Sequence, residues 1–391
     1  MPEFDLSPVS TRAPGEGEPK EDIGLCLSGG GYRAMLFHLG VVWRLAELGY
    51  LGTAKRTGKH GKLGSLQRVS SVSGGSITAG VLGLAWGELD VDAPGLSERF
   101  LKKVVEPIQV FAGQTTISIP SGLWAAIVST VNKKVVKVYR KRLYHDATLQ
   151  DLPDQPLFVI NATNLQSGAL WRFSKLYARD WRVGEVENPT DPIAKVVGAS
   201  SAFPPFLSPA RFKYAESQYT PGSGDGLQRP PFTTRPTLSD GGVYDNLGLE
   251  TVFKHYKTVI CSNAGGGYDA RGKIPGDWIR QGYRVVKTID NQVRSLRKRV
   301  LISSLITTER FGTYWSIRGD IRDYPAPDKL DCPFERTQQL ASITTDLAAK
   351  DVTTQRRLIN WGYAMCDAGI RAWVEDGLPA PRDFPFPAEG V

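Results

Sequence analysis

Three short stretches of this 391-residue chain hold residue types able to do chemistry together: Ser28-Gly29-Gly30-Gly31-Tyr32-Arg33, Val72-Ser73-Gly74-Gly75-Ser76 and Asp240-Gly241-Gly242. A serine hydroxyl is a poor nucleophile until a base takes its proton and donors hold the oxyanion that its attack creates. Ser73 stands where a stretch that reads as a buried strand, residues 66–72, meets two glycines and a helix-like pattern. That is the elbow arrangement which exposes a hydroxyl above a sheet. Position 71 is Ser where the G-x-S-x-G pattern has Gly, and Ser is small enough to fit. Asp240 offers a carboxylate. At its ordinary pKa of about 3.9 it is a weak base, so the site must desolvate it. The three consecutive glycines turn the chain at a helix N-terminus and leave N–H groups uncovered, which suits either a phosphate cradle or an oxyanion hole.

Each stretch has other readings. Gly29, Gly31 and Ala34 fit the dinucleotide pattern G-x-G-x-x-A, but the next strand-like run lacks the acidic residue such a site wants near its end. Ser73 read alone is a helix cap, and Ser76 sits inside the helix start. Asp240 alone reads as the start of a turn, with Asp245 as a neighbour that orients the loop. Of the four histidines (His38, His60, His145, His255), only His255 follows Ser73 and Asp240 in the order Ser, Asp, His of a conventional triad. It stands at the entry to a strand. A triad esterase using His255 and a non-catalytic lipid- or nucleotide-binding protein therefore remain as alternatives.

The elements that must position these residues follow from periodicity. Residues 23–27 read as a buried strand. Over 32–48, Met35, Leu36, Leu39, Val42, Trp43 and Ala46 recur at three- and four-residue steps, a helix with one buried stripe that stops near Gly49. A second strand over 66–72 leads through Ser73 into a second helix carrying Ile77, Val81, Leu84 and Ala85. Strands are predicted over 156–162, 170–173 and 258–262, and helices over 192–199, 247–255, 278–308, 335–350 and 352–375. Residues 217–236, rich in Gly, Pro and Thr, form a long surface loop that delivers the chain to Asp240. The alternation predicts the α/β class, with a mostly parallel sheet covered on both faces. The expected organisation is one domain over 22–376, between a disordered tail at 1–21 and a Pro-rich tail at 377–391.

The totals narrow the class. Lys and Arg number 48 against 40 Asp and Glu, a formal +8 that suits an anionic surface but is too diffuse to name nucleic acid. Cys26, Cys261, Cys332 and Cys366 share no metal-type spacing and read as reduced thiols. The first 21 residues lack the apolar core of a secretory signal, so a cytoplasmic location is expected. Residues 117–131, the longest apolar patch, are shorter than the roughly 18 apolar residues of a membrane span. Just after it come Lys133, Lys134, Lys137, Arg140, Lys141 and Arg142, interleaved with valines. With Trp124, they predict a helix that rests on anionic lipid, or else a solvated helix face. The cluster Arg294, Arg297, Lys298 and Arg299 reads as plain surface.

The four motifs, in order, give a resemblance. The run SGGGYRAM, the serine elbow, the block Ala199-Ser200-Ser201-Ala202-Phe203-Pro204-Pro205 and D-G-G follow the order of the patatin-like phospholipases, over about residues 22–262. The glycine run is similar to that of the cytosolic phospholipase A branch. The resemblance implies a three-layer α/β/α fold, hydrolysis of phospholipid or another acyl-ester lipid through an acyl-serine, and no metal or other cofactor for the chemistry. It implies Ser73 as nucleophile, Asp240 as dyad partner, and Gly30, Gly31 and Gly74 as oxyanion donors. Arg33 is implied to hold the lipid phosphate or to brace the loop. The calcium-binding membrane domain often added in the cytosolic branch is expected to be missing, since little precedes Ile23. Beyond about residue 265 nothing matches.

Overall fold

The computed structural model describes residues 18–92, 96–117, 129–205, 207–268, 270–274 and 276–391. Its centre is a ten-stranded sheet in the order β12-β11-β1-β4-β5-β6-β7-β8. Five of these strands run parallel to one another: β12 (Phe311–Ser316), β11 (Tyr256–Asn263), β1 (Lys20–Leu27), β4 (Leu66–Val72) and β5 (Leu157–Asn164). An antiparallel meander, β6 (Leu170–Phe173), β7 (Tyr177–Asp180) and β8 (Gly184–Glu187), extends the sheet past β5. Two short strands, β9 (Ala210–Arg211) and β10 (Thr237–Asp240), pair antiparallel, and β10 also pairs with β5. A separate hairpin, β2 (Arg56–Gly58) and β3 (Gly61–Gly64), occupies the glycine- and lysine-rich connection.

Successive residues of a buried strand point to opposite faces, so a strand covered on both sides is apolar throughout. β1 shows this. Ile23, Leu25 and Leu27 enter the larger core, beneath helix α1 (Gly31–Glu47), helix α2 (Gly74–Leu89) and the C-terminal helix Val352–Trp373. Cys26 points the other way, into a smaller core with Val259 and Cys261 of β11, Leu247, Val252, and Leu301 from the long helix Trp278–Ile306. Two cores on the two faces of one mostly parallel sheet make the three-layer α/β/α fold. All four cysteines are buried and unpaired.

Several expectations shift at their edges. β1 starts at Lys20, inside the stretch set apart as a tail; residues 1–17 lie outside the described residues, as do Trp124 and the rest of 118–128. Residues 377–391 run along α1 and the C-terminal helix: the Phe386 ring meets Trp43 edge-on, and the Asn360 amide donates to the Phe386 and Gly390 carbonyls. The helix expected over 335–350 ends at Ser342. Residues 343–351 instead cross the glycine loop as an irregular strap. Their carbonyls are taken by tertiary donors, Arg33 at Ile343 and the Tyr32 amide at Asp346, that a continued helix would have kept for itself.

Candidate active site

Strand β5 sets the distance between the two reactive side chains. Val72 ends β4 opposite Asn161, and Asp240 ends β10 opposite Ala162, so neighbouring positions on one strand bring Ser73 and Asp240 together. Ser73 holds φ 51° and ψ −117°, a backbone region costly for any residue with a side chain. The surroundings keep it there. Its amide donates to Ser200 Oγ (2.9 Å), whose hydroxyl donates to the Asn161 carbonyl (2.6 Å). A Cβ on Gly74 would come within 2.1 Å of the Gly31 carbonyl oxygen, so the two strand–helix turns meet backbone to backbone. Ser76, the competing serine, points inward and bonds Ser71 and Ser200.

Asp240 is 2% exposed. One carboxyl oxygen accepts from the Gly242 amide (2.7 Å), and the Ser73 hydroxyl lies beside the carboxyl in the same cleft. Burial is the strongest influence and pushes its pKa up to about 7, against the lowering effect of the Gly242 amide and the Ser73 hydroxyl. The Asp240 amide donates to the Ala202 carbonyl (2.9 Å), so the 199–205 block braces both Ser73 and Asp240. Asp245 accepts from the Leu247 and Glu250 amides and holds the turn after D-G-G.

Gly30 (φ 147°) and Gly31 (φ 61°) adopt conformations that residues with a Cβ avoid. Among the described residues the amides of Gly30, Gly31 and Gly74 make no hydrogen bond, whereas Gly29 donates to the Asn246 carbonyl and Gly75 to that of Ser28. His38, fully buried in α1, supports the loop from beneath. Its Nε2 donates to the Ser28 carbonyl (3.0 Å), its Nδ1 meets Ser262 Oγ (3.0 Å), and burial pushes its pKa down to about 3, so it stays neutral.

Arg33 braces this loop and does not reach the cleft. It is 1% exposed, and its guanidinium donates to the carbonyls of Ala341 (2.7 Å), Ile343 (2.7 Å) and Ala264 (2.8 Å). Of the two roles implied for it, this geometry fits the brace, because no donor is turned toward a substrate phosphate.

Ser73, Asp240, Gly30 and Gly31 open into a cleft of about 220 Å³. Its far wall carries Arg271, Arg284, Lys287 and Arg294, from the segment after β11 and the 278–306 helix. Arg294 donates to the Gly266 carbonyl (2.5 Å) and pairs with Asp290 (2.9 Å). Phe203 and Leu207 add an apolar side. The family model for patatin-like phospholipase matches residues 25–253, which contain the elbow, the glycine loop and the D-G-G turn. This chain belongs to the patatin-like phospholipase family.

Among solved structures, VipD from Legionella pneumophila is 16% identical, over 90% of this patatin-like chain and 66% of that chain, with a TM-score of 0.37. Human GIVD cytosolic phospholipase A2 is 11% identical, over 90% and 61%, with a TM-score of 0.44. Its complex with methyl gamma-linolenyl fluorophosphonate and terbium chloride gives 14%, 88%, 57% and 0.47. This patatin-like chain thus spans between 57% and 66% of the length of those chains. No curated protein matches it in sequence.

His255 lies at the far end of the sheet. It precedes the first residue of β11, whereas the cleft opens at the strand's C-terminal end, about 26 Å away at roughly 3.3 Å per residue. Burial, with Arg68, Arg172 and Lys254 nearby, pushes its pKa down to about 4. The site residues that sequence reasoning missed are of two kinds. Ser200, His38 and Asn246 hold the loops, and only Ser200 belonged to a recognised block. Arg271, Arg284, Lys287 and Arg294 form the cationic wall, of which Arg294 had been read as plain surface.

Proposed function

We propose that this chain is a lipid acyl hydrolase of the phospholipase A or lysophospholipase type, working through a Ser73–Asp240 dyad. The observation that carries this reading is Ser73, strained at a strand–helix elbow and lining one cleft with a desolvated carboxylate, Asp240, beside unpaired glycine amides. Ser73 Oγ attacks the ester carbonyl while Asp240 takes its proton. The amides of Gly30, Gly31 and Gly74 receive the oxyanion. When the tetrahedral intermediate collapses, the alcohol leaves with the proton from Asp240, and the acyl group stays on Ser73. Water then attacks the acyl-serine and gives its proton to Asp240, which returns it to Ser73 as the fatty acid departs.

The cleft volume lies below the roughly 300–1,000 Å³ of pockets that enclose a whole small ligand. It is sized for the ester and part of a head group, with the acyl chain extending beyond it. The cationic wall favours an anionic head group, and Arg271 and Lys287 have no ion-pair partner among the described residues. Contact with an anionic membrane at its cytoplasmic surface belongs to the same reading. Lys133, Lys134, Lys137, Arg140, Lys141 and Arg142 are exposed, but Val135 is buried and Val136 and Val138 are half-buried, so that helix offers charge without apolar insertion.

Treatment with a fluorophosphonate, followed by mapping of the modified peptide, tests the proposal. Label on Ser73, absent in Ser73→Ala, with fatty acid released from phospholipid by the wild type, is the expected result. A folded chain that takes no label is a non-catalytic relative. Loss of activity on His255→Ala would revive the triad esterase.

A further inference from the structure

Beneath the glycine loop a line of fully buried polar groups crosses three neighbouring strands. Trp315 of β12 stands opposite Ser262 of β11, Ser262 stands opposite Leu27, the last residue of β1, and Ser28 follows it. His38 of α1 bridges Ser262 and Ser28. A buried imidazole costs desolvation that an apolar side chain at the same place would not. The compensation lies in what its two nitrogens hold.

Donor and acceptor chemistry fixes each proton in this line. Trp315 Nε1 can only donate, and it donates to Ser262 Oγ (2.9 Å); the Ser28 carbonyl can only accept, and it takes the His38 Nε2 proton (3.0 Å). Ser262 therefore gives its own proton to His38 Nδ1 (3.0 Å), and the ring is the neutral Nε2–H tautomer. The line ends on the peptide that opens the glycine loop. The carbonyl of that peptide, on Ser28, also accepts from the Gly75 amide of the elbow (3.2 Å), and its N–H, on Gly29, donates to the Asn246 carbonyl (3.1 Å). The Ser28 hydroxyl accepts from the Ala264 amide (2.7 Å) and donates to the Gly29 carbonyl (3.3 Å), whose peptide carries the Gly30 N–H. Glycines offer little resistance to rotation, so a loop of three needs contacts from outside to aim its amides.

We propose that His38 is a positioning residue for the ester chemistry: it donates from Nε2 to the Ser28 carbonyl, in a tautomer set by Ser262 and Trp315, and so keeps the Gly30 and Gly31 amides turned to the oxyanion. The proposal rests on the hydrolase reading above. His38 does not line the cleft, so it acts on the reaction only through the loop. Its neutral state follows from the same burial, which keeps the ring's pKa at about 3 and its two nitrogens in unlike roles.

Two substitutions in the full chain separate this role from packing. His38→Gln keeps a donor where ring Nε2 stands, whereas His38→Asn keeps a polar group only where Nδ1 stands. His38→Asn is expected to lower kcat for fatty-acid release about 10- to 100-fold with KM within about twofold, less than the loss of an oxyanion donor outright. His38→Gln should return kcat to within about fivefold of the wild type. Circular dichroism and thermal melting are read on both variants. An Asn variant with wild-type kcat overturns the proposal, and so does a loss that follows melting temperature equally in the two. Nitrogen-15 NMR of the histidine rings, with the His38 signal assigned by its absence in His38→Gln, gives a test that needs no active variant. The Nε2–H form should persist unchanged between about pH 5 and 8, where an ordinary histidine titrates. A ring protonated on Nδ1, or one that titrates in that range, overturns the proposal as well. A wild type that takes no fluorophosphonate and releases no fatty acid removes the hydrolase reading and this role with it; one that does both beside an unimpaired Asn variant removes this role alone.

Discussion

The two walls of the cleft are built on different principles. The wall of Ser73, Asp240 and the glycine loop is made of backbone: strand register on β5 sets it, Ser200 and the 199–205 block pin it, and close approaches such as Gly74 to Gly31 admit no side chain. The opposite wall is made of cationic side chains on a segment and a helix that are largely exposed. A backbone wall tolerates few residue types and so leaves a motif. A side-chain wall is free to vary with the ligand it meets. In the function proposed above, the first does the chemistry common to esters and the second chooses among them.

Breaking the backbone wall should have the largest effect. Ser73→Ala and Asp240→Asn are each expected to lower kcat for fatty-acid release by about 10⁴-fold or more with unchanged circular dichroism. Substantial turnover by the Asp240 variant would place the base elsewhere. Gly30→Ala comes next: its Cβ would sit 2.4 Å from the Ala264 carbonyl oxygen at φ 147°, so the loop must shift. A loss of about 10²-fold in kcat is expected, with KM little changed, as when one oxyanion donor is removed.

The pH profile sharpens the same wall. Asp240 works as a base only when ionised, and its pKa is pushed up to about 7. kcat/KM on a neutral ester should therefore rise with pH through about 7 and fall about tenfold for each unit below it. A flat profile between pH 5 and 8 would show that Asp240 is not the limiting base. On the side-chain wall, Lys287→Ala should act more gently, raising KM for an anionic phospholipid by a few-fold to tenfold more than for a zwitterionic one. Equal change for both would deny that wall a part in selection. The smallest effect belongs to His255→Ala, expected within about twofold in kcat/KM because the ring stands at the far end of β11.

Legibility followed this division. β4 and β6 match their expected bounds, and α1 and the C-terminal helix shift by a residue or two, since long apolar periodicities leave little choice. The meander β7–β8 and strand β12 escaped, being short and half polar, as did the end of the helix at Ser342, which depends on Arg33 reaching across from α1. Arg33 itself shows the limit. Its position after the glycines was legible, but whether its guanidinium faces a ligand or three carbonyls depends on residues some 230 and 310 positions away. The basic run at 133–142 and the helix at 278–306 looked alike as strings of Lys, Arg and Val. Folding buried Val135 in one and left Ile289 and Leu296 bare in the other.

By itself the sequence determined the local geometry: where the chain had to turn with no side chain in the way, where a buried strand ran into a serine followed by glycines, and which helices had a face to bury. Those are constraints within one stretch of backbone, and residue type alone expresses them. Only the tertiary structure decided that Ser73 and Asp240 end on adjacent positions of β5, that burial raises the acid's pKa, and that the cleft's second wall is cationic. Proximity, desolvation and facing charge belong to pairs of residues distant in the chain, and no single stretch contains them.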